Sequence, residues 1–197
     1  MSAIILAAGL ARRMGRDKLN LPLGDRPVIR HVAETVSSIK WLEMIAVINP
    51  RKGDAIRLAL DGLSVRFVTN DRFEEGIATS IAAGAAAVSS NSAAMILVQG
   101  DQPLVTAAML REIVDAWCSG GSEFVAAAFG EITTTPVLFD SSLLGELSRL
   151  GGDVGARAVL KRHQGRTIDF PPWRGLDLDT DEDYAKVCRI WETLGLQ

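Results

Sequence analysis

Four cationic side chains stand close together near the N-terminus: Arg12, Arg13, Arg16 and Lys18, in the stretch ILAAGLARRMGRDK that ends at Lys18. Arginine grips phosphate oxygens with a planar fork, and lysine acts on them as a point charge. Gly9 and Gly15 allow the backbone to turn tightly and to approach a ligand closely. The pattern suits a polyphosphate. It matches neither of two familiar phosphate loops. A Walker loop has four residues between its glycines and then Lys-Ser/Thr; here five residues separate Gly9 from Gly15, and Leu19 follows Lys18. The dinucleotide fingerprint needs a second glycine where this chain has Ala11. The plainer reading is a solvated basic turn.

Acidic residues supply the complement. Asp101 follows an apolar run in LVQGDQP. A carboxylate facing a triphosphate repels it unless a cation lies between them. Mg²⁺ fills that role through one or two carboxylates, phosphate oxygens and water, and Mn²⁺ accepts the same oxygen donors. The segment LDLDTDEDY holds a second pair, Asp177 and Asp179. Spaced two apart on an extended chain, they point the same way. Asp179 is the favoured partner of Asp101 for the metal. The plainer readings are an Asx turn at Asp101 and helix-end electrostatics at the second pair.

These residues need elements to position them. Ala3–Ala7, Glu43–Asn49, SVRFVTN, Ala93–Gln99 and EFVAAAF read as short, continuously apolar strands. Between them, Pro27–Ile39, Lys52–Leu60, Gly76–Val88 and Thr106–Trp117 carry helical patterns, with Thr106 as an N-cap. Strands alternating with helices and apolar on both faces predict a mostly parallel sheet covered on both sides. In such sheets ligands bind beyond the carboxyl ends of the strands. The basic loop and Asp101 both fall there. Further on, TTTPVLF reads as a strand with Pro136 at a bulge or an edge. GGDVGARAVLKRH reads as a loop entering a helix, RTIDF as a strand, and Thr180–Leu194 as a closing helix capped by Thr180. No repeat or linker divides the chain, so residues 1–197 are expected to form a single domain.

Composition narrows the function further. With 197 residues and 48% hydrophobic residues, the chain is long and apolar enough for a full core. A net charge of −3 provides no global field for nucleic acid or membrane. Cys118 and Cys188 are expected as small core or half-buried residues, with no metal or disulfide spacing. No signal segment is evident, and the expected location is cytoplasmic. His31 and His163 are expected in structural roles, His163 near a helix end. The four tryptophans are expected to pack, with Trp173 a weak candidate for the acceptor side.

The combination of LAAGLARRMGRDKLNLPLGDRPVI, GDQP, GGDVGAR and LDLDTDEDY resembles the MobA-like nucleotidyltransferases, and among them the molybdenum cofactor cytidylyltransferases. The resemblance runs from about Ile4 to the last helix. It implies a three-layer αβα, Rossmann-like nucleotide-diphospho-sugar transferase fold. It implies an Mg²⁺-dependent enzyme that moves a nucleotidyl group from an NTP onto a phosphorylated small molecule, molybdopterin in the cofactor branch, with a molybdenum enzyme as recipient of the product. Leu6, Ala7, Ala8 and Gly9 would line the nucleotide entry. Arg13 and Lys18 would neutralise the triphosphate and, with Asp101, form the catalytic set. Asn70, Gly76, Thr79, Ser80 and Gly100 would flank the nucleotide. Asp101 and Asp179 would hold the metal, and Asp153, Arg157 and Thr135 would face the acceptor. Guanylyl-transferring members tend to carry LAGG at the first turn. This chain has LAAG, with Ala8 narrowing the pocket, so CTP is the expected nucleotide and GTP the alternative. Members that use the pterin often carry Gly-His-Pro where Thr134 and Thr135 stand here. Another phosphate monoester, such as a sugar phosphate, therefore stays open as acceptor. So does a non-catalytic nucleotide- or cofactor-binding chaperone for a molybdenum enzyme.

Overall fold

The computed structural model describes residues 1–10, 14–152 and 155–195. Arg12, Arg13 and Asp153, assigned above to phosphate and acceptor binding, lie outside the described residues. Among the described residues nine strands follow in chain order: β1 (Ser2–Ala7), β2 (Pro22–Leu23), β3 (Arg26–Pro27), β4 (Glu43–Ile48), β5 (Arg66–Thr69), β6 (Ala94–Gln99), β7 (Phe124–Phe129), β8 (Ile132–Asp140) and β9 (Gly165–Phe170). The helices are α1 (Val28–Ser37), α2 (Gly53–Ala59), α3 (Ile77–Ala87), α4 (Ala107–Cys118), α5 (Leu144–Leu147), α6 (Ala156–Leu160) and α7 (Asp181–Thr193). No helix among the described residues is long and apolar enough to cross a membrane.

Seven strands form one sheet in the order β5-β4-β1-β6-β8-β7-β9. All run parallel except β8, which is antiparallel to both its neighbours. The two-residue strands β2 and β3 pair separately as a hairpin. Alternation along β1 divides the core. Ala3, Ile5 and Ala7 pack with Ile29, Val32 and Val36 of α1 and with Leu110 and Ile113 of α4. Ile4, Leu6 and Ala8 face the other way, with Ile81 and Ala85 of α3, Leu147 of α5 and Val159 of α6. The two apolar layers make the expected αβα sandwich. A third cluster, with Leu23, Leu178, Val187 and Trp191, seats α7 on the hairpin.

The caps expected at both late helices are present. Thr106 Oγ1 accepts from Met109 N (3.3 Å), and Thr180 forms a reciprocal capping box with Asp183. Pro136 lies at a bulge in a central strand rather than at an edge: β7 pairs Ala126 with Val137 and Ala127 with Thr134, which leaves Thr135 and Pro136 outside the ladder. Proline is tolerated there because no ladder donor is needed. Cys118 is exposed at the end of α4, and Cys188 is half-buried.

His163 is in the turn beyond α6 and answers to two carboxylates, not to a helix end. Its Nδ1 lies 3.1 Å from Glu123 Oε1 and its Nε2 2.7 Å from Glu146 Oε2. Glu146 also pairs with Arg162. Hydrogen bonds to Glu146 and then Glu123 raise the imidazole pKa. A raised folded-state pKa gives stability that is complete below the unfolded value, about 6.5, and is lost as pH rises through the folded value. Urea melts should therefore show stability falling as pH rises from below about 6.5 through the folded value, and His163→Gln should flatten that decline.

β1 and β6 meet closely at their carboxyl ends. Gly100 N donates to Leu6 O (2.9 Å). A Cβ at Gly100 would stand 2.9 Å from that same backbone oxygen and 2.7 Å from Ile29 Cδ1. Gly100→Ala should cost about 1–3 kcal/mol through overpacking, read as a lower denaturation midpoint.

Candidate active site

The chain leaves β1 toward β4 and β5 on one side and later returns to β6 on the other. The strand order therefore reverses between β1 and β6, where open α/β sheets bind ligands. A cleft of about 630 Å³ opens at this point. Leu6, Ala8, Gly9 and Leu10 line it from the exit of β1, Gly76, Ile77 and Ser80 from the start of α3, and Gln99 and Asp101 from the end of β6.

Fixed partners shape these walls. Buried Asn49, just after β4, donates from Nδ2 to Ala8 O (3.0 Å). Its Oδ1 accepts from the backbone N–H groups of Arg51 (3.0 Å) and Lys52 (2.9 Å). The β1 exit is thereby tied to the next crossover. Asn70 does similar work on the far wall. Its Nδ2 donates to Thr79 Oγ1 and Ser80 Oγ, both at 2.9 Å, and its Oδ1 accepts from Arg72 N (3.0 Å). Gly76, at φ +111°, starts α3 from a conformation that side-chain-bearing residues rarely adopt.

Three carboxylates meet at the opposite wall. Leu178 N donates to Asp101 O (3.2 Å), and the Leu178 side chain is wholly buried. This clamp draws Asp177 and Asp179, one on each side of Leu178, into the cleft beside Asp101. Lys18, on a short 3₁₀ turn anchored by buried Leu19, reaches across to them. Its Nζ stands 2.5 Å from Asp101 Oδ2 and 3.0 Å from Asp179 Oδ1. Burial works against the lysine's charge, but the two carboxylates outweigh it and hold its pKa above the ordinary value. Lys18 is a cation throughout the physiological range.

The surroundings of Asp177 perturb its carboxyl. Burial, aided by the neighbouring Asp101 charge, pushes its carboxyl up to about 6. Gln99 Nε2 donates to Asp177 Oδ1 (3.3 Å) and to Thr135 Oγ1 (3.0 Å). Thr135 Oγ1 in turn donates to Oε1 of the fully buried Gln102 (2.9 Å). Among the described residues Gln102 Nε2 has no partner at hydrogen-bonding distance, yet it lies near enough to Asp177 to favour the ionised carboxylate.

Leu6, Ile77, Gln99 and Asp177 also wall a second cleft of about 530 Å³. Thr134, Thr135, Arg157 and Lys161 line its polar parts, and Ile81, Leu97 and Val137 its apolar floor. One cleft holds Lys18 and the acids, the next holds Thr135 and Arg157, and Asp177 and Gln99 stand where the two join.

The structure thus gathers Leu6, Ala8, Gly9, Lys18, Gly76, Ser80, Asp101 and Asp179 around one cavity, with Thr135 and Arg157 in its neighbour. Four of the expected nucleotide contacts do not line either cleft. Ala7 points into the opposite core layer, Asn70 and Thr79 are engaged with each other behind the wall, and Gly100 is packed under Leu6 and Ile29. Their position is one of support. Arg16 turns away from the cleft to pair with Asp181 and lies over the Tyr184 ring at 5.6 Å. Trp173 stacks with Arg174 and lines neither cleft. Asn49, Gln99 and Gln102 are additions that sequence reasoning missed.

Residues 3–167 match the MobA-like NTP transferase domain. The chain belongs to the MobA-like NTP transferase family. Among members and relatives, the molybdenum cofactor guanylyltransferase of Rhizobium meliloti is 29% identical over 174 residues, 86% of this chain and 78% of that protein. The bifunctional protein GlmU of Leifsonia xyli is 31% identical over 146 residues, 68% of this chain. This chain spans only about a third of the length of the GlmU proteins it matches. The crystal structure of Rv0371c from Mycobacterium tuberculosis superposes with a TM-score of 0.84 at 28% identity, covering 95% of this chain and 97% of that one. A manganese complex of Rv0371c superposes at 0.78. The fold of this MobA-like chain is the Rossmann-like nucleotide-diphospho-sugar transferase fold expected above.

Proposed function

We propose that the protein transfers a cytidylyl group from CTP to the phosphate of molybdopterin or the molybdenum cofactor, with release of pyrophosphate. The observation that carries the reading is the pair of joined clefts. One is built of a tight backbone turn, a lysine and carboxylates; the other is apolar with cations at its rim.

A phosphate oxygen of the acceptor, already ionised at neutral pH, attacks the α-phosphorus of the nucleotide. The new O–P bond forms as the bond to the bridging oxygen breaks, and pyrophosphate carries away the electron pair. No general base is required, and the described lining residues of both clefts include no histidine. Catalysis is then positioning and charge neutralisation. The backbone of Ala8 and Gly9 and the start of α3 hold the nucleotide. Lys18 neutralises charge on the phosphate chain. Gln99, held by Thr135 and Gln102, orients the join where the attacking oxygen must lie.

The residues fit a divalent cation. No group of three acidic, histidine or cysteine residues among those described could hold an ion unaided. An ion held by one or two carboxylates plus phosphate oxygens and water needs no more than Asp101 and Asp179. The Lys18 ammonium paired with both supports a place for positive charge between them. Mg²⁺ or Mn²⁺ held by Asp101 and Asp179 would supply Lewis-acid neutralisation of the phosphate oxygens. The manganese complex of Rv0371c supports a divalent metal.

The base assignment rests on Ala8, whose methyl group lines the first cleft where a glycine would leave more room. The R. meliloti guanylyltransferase favours GTP as the second reading. Mass analysis of the product decides. CMP joined to the acceptor phosphate supports the first reading, GMP the second. A molybdenum enzyme would receive the product.

A further inference from the structure

The two clefts share a wall of four residues, Leu6, Ile77, Gln99 and Asp177. Gln99 and Asp177 form its polar part and are tied to each other and, through Gln99, to Thr135. Leu6 belongs to β1 and is only 8% exposed, so it is floor rather than barrier. Ile77 is the remaining member. It is the first residue of α3, beside Gly76, and it is 47% exposed. The next four residues, Ala78, Thr79, Ser80 and Ile81, are all buried.

Of the five large apolar side chains that stand exposed among the described residues, Ile77 alone lines these clefts. A single exposed isoleucine is ordinary on an open surface. At the join of two polar sites it needs another reason, and core packing does not supply one: among the described residues Ile77 belongs to neither apolar layer of the sandwich. Its Cγ2 reaches instead toward the start of α6, where a Cβ on Gly155 would lie 3.7 Å away, at ordinary van der Waals contact. Gly155 and Ala156 line the second cleft. The side chain therefore extends from α3 toward α6 beside the join. Branching at Cβ leaves it few rotamers on a helix, so it is a stiff obstacle.

The chemistry gives such an obstacle a task. At the join an acceptor oxygen must reach the α-phosphorus, and water competes with it. A water oxygen attacking the α-phosphorus, with its proton passing to solvent, breaks the same bond to the bridging oxygen and releases CMP and pyrophosphate. Charge neutralisation by Lys18 assists both attacks alike. Preference for the acceptor must come from filling the space beside its oxygen with apolar atoms that exclude water. We infer that Ile77 decides between transfer and hydrolysis by closing the join to water. This inference rests on the nucleotidyl-transfer reading above.

The test is the share of consumed CTP that appears as free CMP rather than as the CMP–acceptor product, with Mg²⁺ and saturating molybdopterin. Ile77→Ala removes three carbons and leaves room for a water, whose share of liquid volume is about 30 Å³. It should raise the CMP share at least about tenfold. Ile77→Leu keeps the carbon count and should stay within about twofold of the wild type. A loss of folded protein lowers both products together and leaves their ratio unmoved, so the ratio reads the join and not stability. An Ile77→Ala variant with an unchanged ratio, or equal rises in both variants, would overturn the inference alone. No pyrophosphate release by the wild type with CTP or with GTP would defeat the nucleotidyl-transfer reading, and the inference with it.

Discussion

Replacing Asp101 with alanine abolishes turnover and leaves the fold standing. The expected loss in kcat is about 1,000-fold or more, the scale of removing a main electrostatic stabiliser of a phosphoryl centre. The fold should survive for a reason visible in the cleft. Asp101 is one of three carboxylates crowded there, and its charge helps to push Asp177 up to about 6. Its removal relieves like-charge repulsion. Lys18 keeps Asp179 as a partner, and the Leu178 clamp uses the backbone oxygen of residue 101, which alanine retains. Circular dichroism and a denaturant melt should match the wild type while pyrophosphate release disappears. A folded Asp101→Ala variant with near wild-type turnover would remove Asp101 from the catalytic set and from the metal site.

The second large effect is at Lys18. In the structure its ammonium bridges Asp101 and Asp179, so it is not free to receive a triphosphate as it stands. Nucleotide binding must exchange at least part of this pairing for contact with phosphate. Some of the lysine's attraction for nucleotide is spent in that exchange. The charge that develops on the phosphate chain during bond breaking meets a lysine already released. Lys18→Ala should therefore lower kcat by about 100-fold and weaken nucleotide binding by much less, on the order of a fewfold. Single-turnover rates and direct titration of CTP separate the two. If binding falls and the rate at saturation does not, Lys18 is an anchor for the ground state. The same variant leaves Asp101 and Asp179 unneutralised, so it should bind divalent cation more tightly.

Much of this arrangement was legible in the chain, for physical reasons that also explain the misses. Asp101 stood out because a lone acid follows an apolar strand at the edge where such sheets bind ligands. Lys18 stood out because it ends a basic loop after the first strand. The αβα architecture followed from apolar runs alternating with helical patterns. The hairpin of β2 and β3 was not visible, since two-residue strands carry no periodicity. The reversed direction of β8 was hidden as well, because a buried strand reads the same in either direction.

At the site, alternation could put Asp177 and Asp179 on one side but could not rank them. Their surroundings come from tertiary neighbours: burial and the Asp101 charge at Asp177, which also accepts from Gln99, and the Lys18 ammonium at Asp179. Asn70 and Thr79 have the chemistry of ligands, yet they satisfy each other behind the wall. Gln99 gave the opposite problem. A glutamine at the end of an apolar strand has no local signature, and its importance comes from the Thr135 hydroxyl, 36 positions away in sequence. Polar residues were legible as a set, while the division between contact and support required the fold.

The central claim is that the bond broken in the nucleotide is the one between the α- and β-phosphates and that the α-phosphorus moves to the acceptor. Two labelled samples of CTP test it most directly, one labelled at the α-phosphorus and one at the γ-phosphorus, each with the wild-type protein, Mg²⁺ and molybdopterin. The account predicts α-label in the acceptor product and γ-label in pyrophosphate, with neither released when the acceptor is omitted. γ-Label transferred to the acceptor, or α-label appearing as free CMP in equal amount with and without acceptor, would contradict it.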